Sequence, residues 1–142
     1  MKLKKHSKKH NPGAGFVLYK PTELGEKIIV LIKPSGKFDL PKGRTDSGDV
    51  DYFATAQREC FEETGIFVSK SDLICSEHYQ DDKLVMFCAN TNQEPAISKN
   101  PESGELEHIA YILVEPEQAC KILPNYLANA VRWSMTKQRS HT

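Results

Sequence analysis

The chain has 142 residues, of which 39% are hydrophobic and 27% are charged, and its formal net charge is zero. This balance is ordinary for a globular protein of one domain. It excludes a membrane-spanning chain, because no run of residues approaches the ~20 apolar positions that a bilayer requires. The lysines near the N-terminus precede no apolar segment of a secretory signal. We therefore expect a cytoplasmic protein without a membrane partner.

Charge is unevenly distributed along the chain. Residues 1–10 contain five lysines and no acidic residue, which leaves 14 basic and 19 acidic residues in the rest. This division predicts a basic, flexible N-terminal arm over residues 1–12 and a single domain over residues 13–142. The arm is either a solvated tail or a contact for nucleic acid or polyphosphate. The cysteines form no CxxC pair, which favours reduced thiols over a zinc site: Cys60, Cys75, Cys88 and Cys120.

The first part of the chain predicts strands separated by short turns. Apolar residues over 13–19 predict a first strand, and residues 21–25 predict a hairpin turn. The run IIVLI makes residues 27–33 a second strand that is too apolar to be exposed. A turn at residues 34–36 then leads to a short strand over residues 38–40, which delivers the loop that follows.

The rest of the chain predicts one long helix, further strands and two closing helices. The long helix begins between Asp49 and Tyr52 and ends at Thr64, with Gly65 directly after its last turn. The elements that follow are, in chain order, strands over residues 73–80 and 84–89, a polar loop over 90–105, a strand over 108–114, a short helix from Glu115 and a last helix from Pro124 to about Lys137. This order is consistent with a mixed sheet between helices.

The long helix carries an unusual acidic face. Glu59, Glu62 and Glu63 have the spacing i, i+3 and i+4, which places all three carboxylates on one side of the helix. Like charges repel at this spacing, so the arrangement is costly unless a cation lies among them. Hard oxygen ligands suit Mg²⁺ or Mn²⁺. The alternative is a solvated acidic face on which Arg58 pairs with Glu62.

The residues around this face resemble the signature of the Nudix hydrolases. That signature has a glycine, an acidic residue six positions later, and eight positions after that the run REUXEEXGU, in which U is apolar. This sequence matches it at Gly43, Arg58, Glu59, Cys60, Glu62, Glu63, Gly65 and Ile66.

The sequence departs from the signature at its first acidic position. The place eight residues before Arg58 holds Val50, whereas Asp49 lies six residues after Gly43 and nine before Arg58. The loop is therefore one residue longer, as in some small bacteriophage Nudix enzymes. Asp51 is an alternative for the acidic role.

The resemblance implies a fold, a reaction and a metal site. The fold is the Nudix α/β/α sandwich with a mixed sheet between helices. The reaction is hydrolysis of a pyrophosphate bond with Mg²⁺ as cofactor and Mn²⁺ as a substitute. The implied metal ligands are the glutamates Glu59, Glu62 and Glu63 and the backbone carbonyl of Gly43. Either Glu59 or Glu62 doubles as general base, and Arg58 orients the glutamates.

The resemblance also suggests residues outside the signature. A further glutamate faces the metals in many members, and we expect Glu107 ahead of Glu105 and Glu102. The reason is that residues 107–111 resemble the start of a strand in asymmetric dinucleoside tetraphosphate hydrolases. Lys42 and Arg44 are placed to bind phosphates or are ordinary surface charges. The aromatic residues that either stack on a base or fill the core are Phe16, Tyr79, Tyr111 and Tyr126, of which Tyr79 and Tyr111 are the predicted substrate contacts.

Three functions compete at this point. The first is hydrolysis of a small nucleotide, with ADP-ribose, diadenosine polyphosphates or FAD as the best candidates. The second keeps the reaction and changes the substrate to a nucleotide cap at an RNA 5′ end, for which the basic arm would be suited. The third is a catalytically inactive Nudix-like domain that senses nucleotides. Intact Arg58, Glu59, Glu62 and Glu63 argue against the third. Either a monomer or a homodimer is compatible with the sequence.

Overall fold

The computed structural model describes residues 12–141, so residues 1–11 of the predicted arm lie outside the described part. Its strands are β1 (Gly13–Thr22), β2 (Gly25–Ile32), β3 (Phe38–Asp39), β4 (Lys42–Arg44), β5 (Tyr79–Gln80), β6 (Leu84–Asn90) and β7 (Ala110–Val114). Its α-helices are α1 (Tyr52–Thr64), α2 (Pro116–Ile122) and α3 (Asn125–His141), and residues Lys70–Asp72 form a 3₁₀ turn. None of the described helices is long and apolar enough to cross a membrane.

The strands form one mixed sheet around β1. Strand β1 runs parallel to β6 and antiparallel to β2 and β4, which pair with its two ends. Strand β2 in turn pairs with β3 and β7, and β5 pairs with β6. Because β4 pairs with Gly13–Gly15, the loop that leads to α1 leaves from the middle of the sheet. The expectation of a mixed sheet between helices is confirmed.

Alternating residues of the central strands pack on opposite faces of the sheet, as a strand with both faces covered requires. Val17 and Tyr19 belong to the core beneath α2 and α3, whereas Phe16 and Leu18 belong to the core beneath α1. The run IIVLI of β2 alternates in the same way, and its first four residues are buried. The fold is therefore an α/β/α sandwich.

Helix α1 has well-defined ends, which fixes the direction of its acidic face. Asp51 is the N-cap, and its carboxylate accepts a hydrogen bond of 2.8 Å from the backbone N–H of Ala54. Gly65 ends the helix in the left-handed region at φ 74°, where its N–H donates to the carbonyl of Phe61. The predicted helix over residues 52–64 is confirmed at both ends.

The structure corrects three of the predicted elements. Residues 73–80 are not one strand: Leu73 makes a single bridge to Ala89, and only Tyr79–Gln80 is a strand. Apolar residues stop at Cys75, so the exposed residues that follow offer no face to bury. Residues 42–44 lie where a loop was expected after the short strand, and they form strand β4, which pairs with the end of β1 that β2 leaves free. The last helix extends beyond Lys137 to His141.

Candidate active site

Strand β4 and helix α1 touch where Gly43 meets Glu59. A Cβ atom on Gly43 would overlap the Cδ, Oε1 and Oε2 atoms of the Glu59 carboxyl group. Only glycine leaves room for that carboxylate against the backbone. The contact brings a main-chain segment beside the acidic face of α1, which predicts that a substitution at Gly43 displaces Glu59.

The guanidinium group of Arg58 organises the start of this face. Its Nη1 lies 3.0 Å from Glu59 Oε2 and 3.5 Å from Glu62 Oε2. Its Nη2 donates at 3.0 Å to the backbone carbonyl of Arg44. Arg58 therefore links α1 to β4 and holds two of the glutamates, as expected of an orienting residue. The side chain of Arg44 is exposed.

Asp49 is the main partner of Arg58. Its two oxygens accept from Arg58 Nε at 3.1 Å and Nη2 at 2.9 Å, a bidentate pair. One of these oxygens also accepts from Thr55 and from the backbone of Asp46, each at 2.8 Å. The hydrogen bond with Arg58 is the main reason that the pKa of Asp49 falls to about 2. In the described structure, Asp49 therefore anchors Arg58, while Asp51 caps the helix.

Glu63 is the buried member of the acidic face. Its Oε1 accepts at 3.2 Å from the backbone N–H of Lys42, and the residue is 8% exposed. The pKa of Glu63 is raised to about 9, mainly by burial and then by the neighbouring charges of Glu59 and Asp39, while the backbone N–H and the ammonium group of Lys42 lower it only in part. Burial also raises the pKa of Glu59 despite Arg58. The protein thus brings these carboxylates together without enough positive charge of its own.

Glu107 completes the acidic cluster from the far part of the chain. Oxygens of Glu63 and Glu107 and a ring nitrogen of His108 all lie within 4.8 Å of one another. Asn100 Nδ2 donates to the exposed Glu107 carboxylate at 3.0 Å. Several carboxylates close together are the donor set that hard divalent cations prefer, so the residues present fit such an ion.

A cleft of about 390 Å³ opens beside Glu63 and Glu107. Lys42 lies in it with its Nζ 3.1 Å from Asp39 Oδ1. Burial lowers the pKa of Lys42, but Asp39 and, more weakly, Tyr126 and Glu63 outweigh burial and raise it. The cleft therefore places a permanent positive charge next to the acidic cluster. Its lining consists of Lys33, Pro34, Asp39, Lys42, Glu63, Leu106, Glu107 and His108.

Comparison with known families decides the identity of this arrangement. The NUDIX domain matches residues 9–135, which is most of the chain. The chain belongs to the Nudix hydrolase family. A comparison with curated proteins gives no match to the sequence.

Solved Nudix structures share the fold. The Ap4A hydrolase of C. elegans, solved as a binary complex, is 25% identical with a TM-score of 0.62 and covers 86% of this chain and 93% of its own. The MutT protein of Methanosarcina mazei is 21% identical with a TM-score of 0.64, covering 93% and 95%. The NUDIX domain of Shewanella oneidensis NrtR, crystallised with ADP ribose, is 15% identical with a TM-score of 0.64, covering 89% and 88%. The last two likenesses show the fold alone.

Membership makes this chain a Nudix pyrophosphohydrolase, and its acidic cluster is consistent with the divalent metal that these enzymes generally use. The cluster and the cleft occupy one side of the sheet, at the junction of β3, β4, α1 and the segment before β7. This junction brings together the predicted residues Lys42, Gly43, Glu59, Glu63 and Glu107.

The predicted aromatic residues have different surroundings. Tyr79 packs on Trp133 with ring centroids 6.3 Å apart. It lies three strands from Lys42 in the register of the sheet, about 14 Å at the usual strand spacing. Tyr111 is partly buried against the core beneath α1, and Phe16 is fully buried there. Tyr126 is 41% exposed and is the member of the set that contributes to the raised pKa of Lys42.

Two residues of this Nudix site were missed by sequence reasoning. Asp39 and His108 are both buried and lie 2.9 Å apart, although they are 69 residues apart in the chain. Asp39 was read only as part of a short strand, and His108 only as the start of another. The one available signal is that each lies within three residues of a predicted site residue.

Proposed function

We propose that this enzyme hydrolyses the pyrophosphate link of adenosine-containing dinucleotides with Mg²⁺, and that dinucleoside polyphosphates are its first substrate class. ADP-ribose and FAD are the next candidates. The observation that carries the proposal is the cleft, which places Lys42 directly beside Glu63 and Glu107. A polyphosphate chain needs such neighbouring positive and metal-binding groups, since it presents several anionic oxygens in a row.

The acidic cluster supplies the metal-binding part of the proposal. Glu59, Glu62, Glu63 and the carbonyl of Gly43 would hold the ion. When bound, a divalent cation neutralises phosphate oxygens and makes water a better nucleophile near neutral pH. The protein contributes the position of each carboxylate: Gly43 leaves space for Glu59, Arg58 holds Glu59 and Glu62, and the Lys42 backbone holds Glu63.

Exposed Glu107 is the residue that we propose takes the proton. In the reaction a water oxygen bonds to phosphorus, the bridging P–O bond breaks, and its electron pair leaves with the departing phosphate. One proton of the water goes to a carboxylate and then to solvent. Glu107 meets solvent and is held by Asn100, whereas Glu63 is buried, so Glu107 is better placed for this exchange.

The cleft also suggests residues for substrate binding. Lys42 would contact the phosphates, with Arg44 at the exposed edge of β4 as a second contact. Tyr126 is the aromatic residue best placed to stack on a base, because it is exposed and close enough to influence Lys42. Tyr111, partly buried beneath α1, and Tyr79, beside Trp133, have weaker support from the structure.

Product analysis tests this proposal. The enzyme is incubated with Mg²⁺ and each of diadenosine tri- and tetraphosphate, ADP-ribose, FAD, 8-oxo-dGTP and cap-bearing RNA. We expect the dinucleoside polyphosphates to give the highest kcat/KM. Glu62→Gln should lose activity by more than about 100-fold, because even partners behind metal ligands cost about 10- to 100-fold. Glu117→Gln, an exposed glutamate of α2, is the matched control and should retain activity.

Other results would change the assignment in defined ways. Preference for cap-bearing RNA, with a strong salt dependence that is lost on deleting residues 1–10, would replace the dinucleotide with RNA. No turnover of any compound, with metal-dependent nucleotide binding retained, would favour a nucleotide-sensing domain and contradict the proposed reaction.

A further inference from the structure

A buried hydrogen bond between a histidine and an aspartate lies directly behind Glu107. His108 Nε2 is 2.9 Å from Asp39 Oδ2, and the two side chains are only 4% and 5% exposed. Both residues line the cleft, and a ring nitrogen of His108 lies within 4.8 Å of carboxylate oxygens of Glu63 and Glu107. A pair this deeply buried and this close to a proposed catalytic carboxylate calls for a physical explanation.

The direction of the hydrogen bond follows from the state of Asp39. Burial raises the pKa of Asp39, but the hydrogen bond with His108 and the positive charge of Lys42 outweigh burial and keep it below its usual value. Asp39 is therefore ionised and accepts, and His108 donates through Nε2–H. The other oxygen of Asp39 receives the Lys42 ammonium group at 3.1 Å. This second contact is an ion pair without hydrogen-bond geometry, so Oδ2 has a hydrogen bond from His108 and Oδ1 has only the charge of Lys42 beside it.

The pair joins the segments that carry the acidic cluster. Asp39 belongs to β3, and Lys42 begins β4 and holds Glu63 through its backbone N–H. His108 follows Glu107 directly, and the next residue, Ile109, begins the pairing with β2 through a hydrogen bond of 2.8 Å to Ile32. The backbone of Glu107 is therefore tied to the protein interior on one side, while Asn100 holds its carboxylate on the other.

Stability alone is a weak reason for such a pair. Removing a carboxylate and a polar ring from water costs free energy, and a hydrogen bond returns only part of that cost. Positioning of a neighbouring functional group explains such a pair better, because residues that contact a metal-binding or catalytic side chain commonly fix its orientation.

We propose that His108 and Asp39 are positioning residues that hold the Glu107 carboxylate against Glu63. The inference rests on the proposed function, in which Glu107 serves the reaction.

Two substitutions of His108 separate its hydrogen bond from its bulk. In His108→Gln the amide Nε2 lies the same number of bonds from the backbone as the histidine Nε2, so it can still donate to Asp39. In His108→Asn the amide is shorter and cannot reach. Both replacements are neutral and polar. We expect His108→Gln to keep kcat within about threefold of the wild type and His108→Asn to lose about tenfold, with KM little changed in both.

A double-mutant cycle with Glu107→Gln tests whether His108 acts through Glu107. Glu107→Gln should reduce kcat about 10- to 100-fold, whereas Glu105→Gln in the same loop should not. In the Glu107→Gln background, His108→Asn should lower kcat by less than about twofold, because the carboxylate that His108 positions is already absent. Melting temperature and Mn²⁺ binding by calorimetry are measured on every variant as readouts independent of turnover.

The outcomes separate failure of the inference from failure of the proposed function. If His108→Asn still lowers kcat about tenfold in the Glu107→Gln background, His108 does not act through Glu107 and the inference is wrong. The inference is also wrong if the kcat of His108→Gln falls as far as that of His108→Asn. If Glu107→Gln behaves like Glu105→Gln, the role assigned to Glu107 is wrong and the inference falls with it. Should His108→Asn fail to fold, Asp39→Asn replaces it in the same cycle, with the same non-additivity expected.

Discussion

The acids just before helix α1 and the acids in its C-terminal half have opposite surroundings. At the N-terminal end every acid has donors from the protein itself: Asp51 accepts from the helix backbone, and Asp49 accepts from Arg58, Thr55 and the backbone of Asp46. In the C-terminal half, by contrast, the glutamates share one guanidinium nitrogen and one backbone N–H. That half of the helix contains Glu59, Glu62 and Glu63.

The pKa values of Asp49 and Glu63 differ in the same sense. The pKa of Asp49 falls to about 2 because of Arg58, whereas burial and mutual repulsion raise that of Glu63 to about 9. A carboxylate whose partners are built into the fold stabilises the fold. A carboxylate that is buried beside other acids destabilises the fold unless a bound cation neutralises it. The contrast therefore supports a division between the acids before the helix, which serve the fold, and the glutamates on the helix, which we propose bind the metal.

Removing a charge from the crowded half should separate activity from stability. We expect Glu59→Gln to reduce turnover by more than about 100-fold, yet to leave the melting temperature in EDTA unchanged or higher, because it removes repulsion at a site where burial already raises the pKa of Glu59. Turnover and thermal melting are measured on the same preparations. A fall in stability in EDTA as large as that of Asp49→Asn would remove the distinction.

Substitution of Gly43 displaces a crowded carboxylate without changing any charge. Gly43→Ala should reduce kcat by about 100-fold, because the new methyl group overlaps the Glu59 carboxyl group and small misplacements at a reacting centre have effects of this size. The matched control is Gly48→Ala in the following loop, where a Cβ meets nothing within 4 Å. Steady-state kinetics compares the two. Equal activity in both variants would mean that the position of Glu59 is unimportant.

Neutralising a partnered acid should affect stability in a pH-dependent way. Asp49 has a pKa of about 2 in the folded state, below its ordinary value of 3.8. Its ionised carboxylate therefore stabilises the folded state above about pH 4, and this stabilisation disappears as the pH falls towards 2. The shift corresponds to about 2 kcal/mol. We expect Asp49→Asn to lower the free energy of unfolding by this amount at pH 7 and by much less near pH 2. Urea unfolding at several pH values measures it, and a pH-independent difference would contradict the ionic role.

The smallest effect is expected at the N-cap. Asp51→Ala should lower the free energy of unfolding by about 1 kcal/mol, through loss of the hydrogen bond to the Ala54 N–H. Activity should be unchanged, since Asp51 is exposed and its carboxylate is engaged at the N-terminus of the helix, about two turns before Glu59. Asp51→Asn is the control, because asparagine caps a helix about as well. A large loss of activity in Asp51→Ala would mean that this residue, not Asp49, has the acidic role of the signature.

Local patterns predicted the helix and its three glutamates, because spacing along a helix is set by the helix itself. The signature also predicted that Gly43 meets the acidic face. The role of Asp49 could not be read from spacing, since the longer loop leaves two acids near the helix and only the folded loop shows which one reaches Arg58. The Asp39–His108 pair was missed for a related reason. It joins residues 69 positions apart, and their meeting depends on how β3 and β7 flank β2.

The most direct test of the contrast is calorimetric titration of Mn²⁺ into the wild type, Asp51→Ala and Glu59→Gln without substrate. If the crowded glutamates hold the ion and the partnered acids serve the fold, Asp51→Ala will bind Mn²⁺ with the stoichiometry and Kd of the wild type. Glu59→Gln will bind at least about tenfold more weakly. Equal weakening in both variants, or wild-type affinity in Glu59→Gln, would contradict the account.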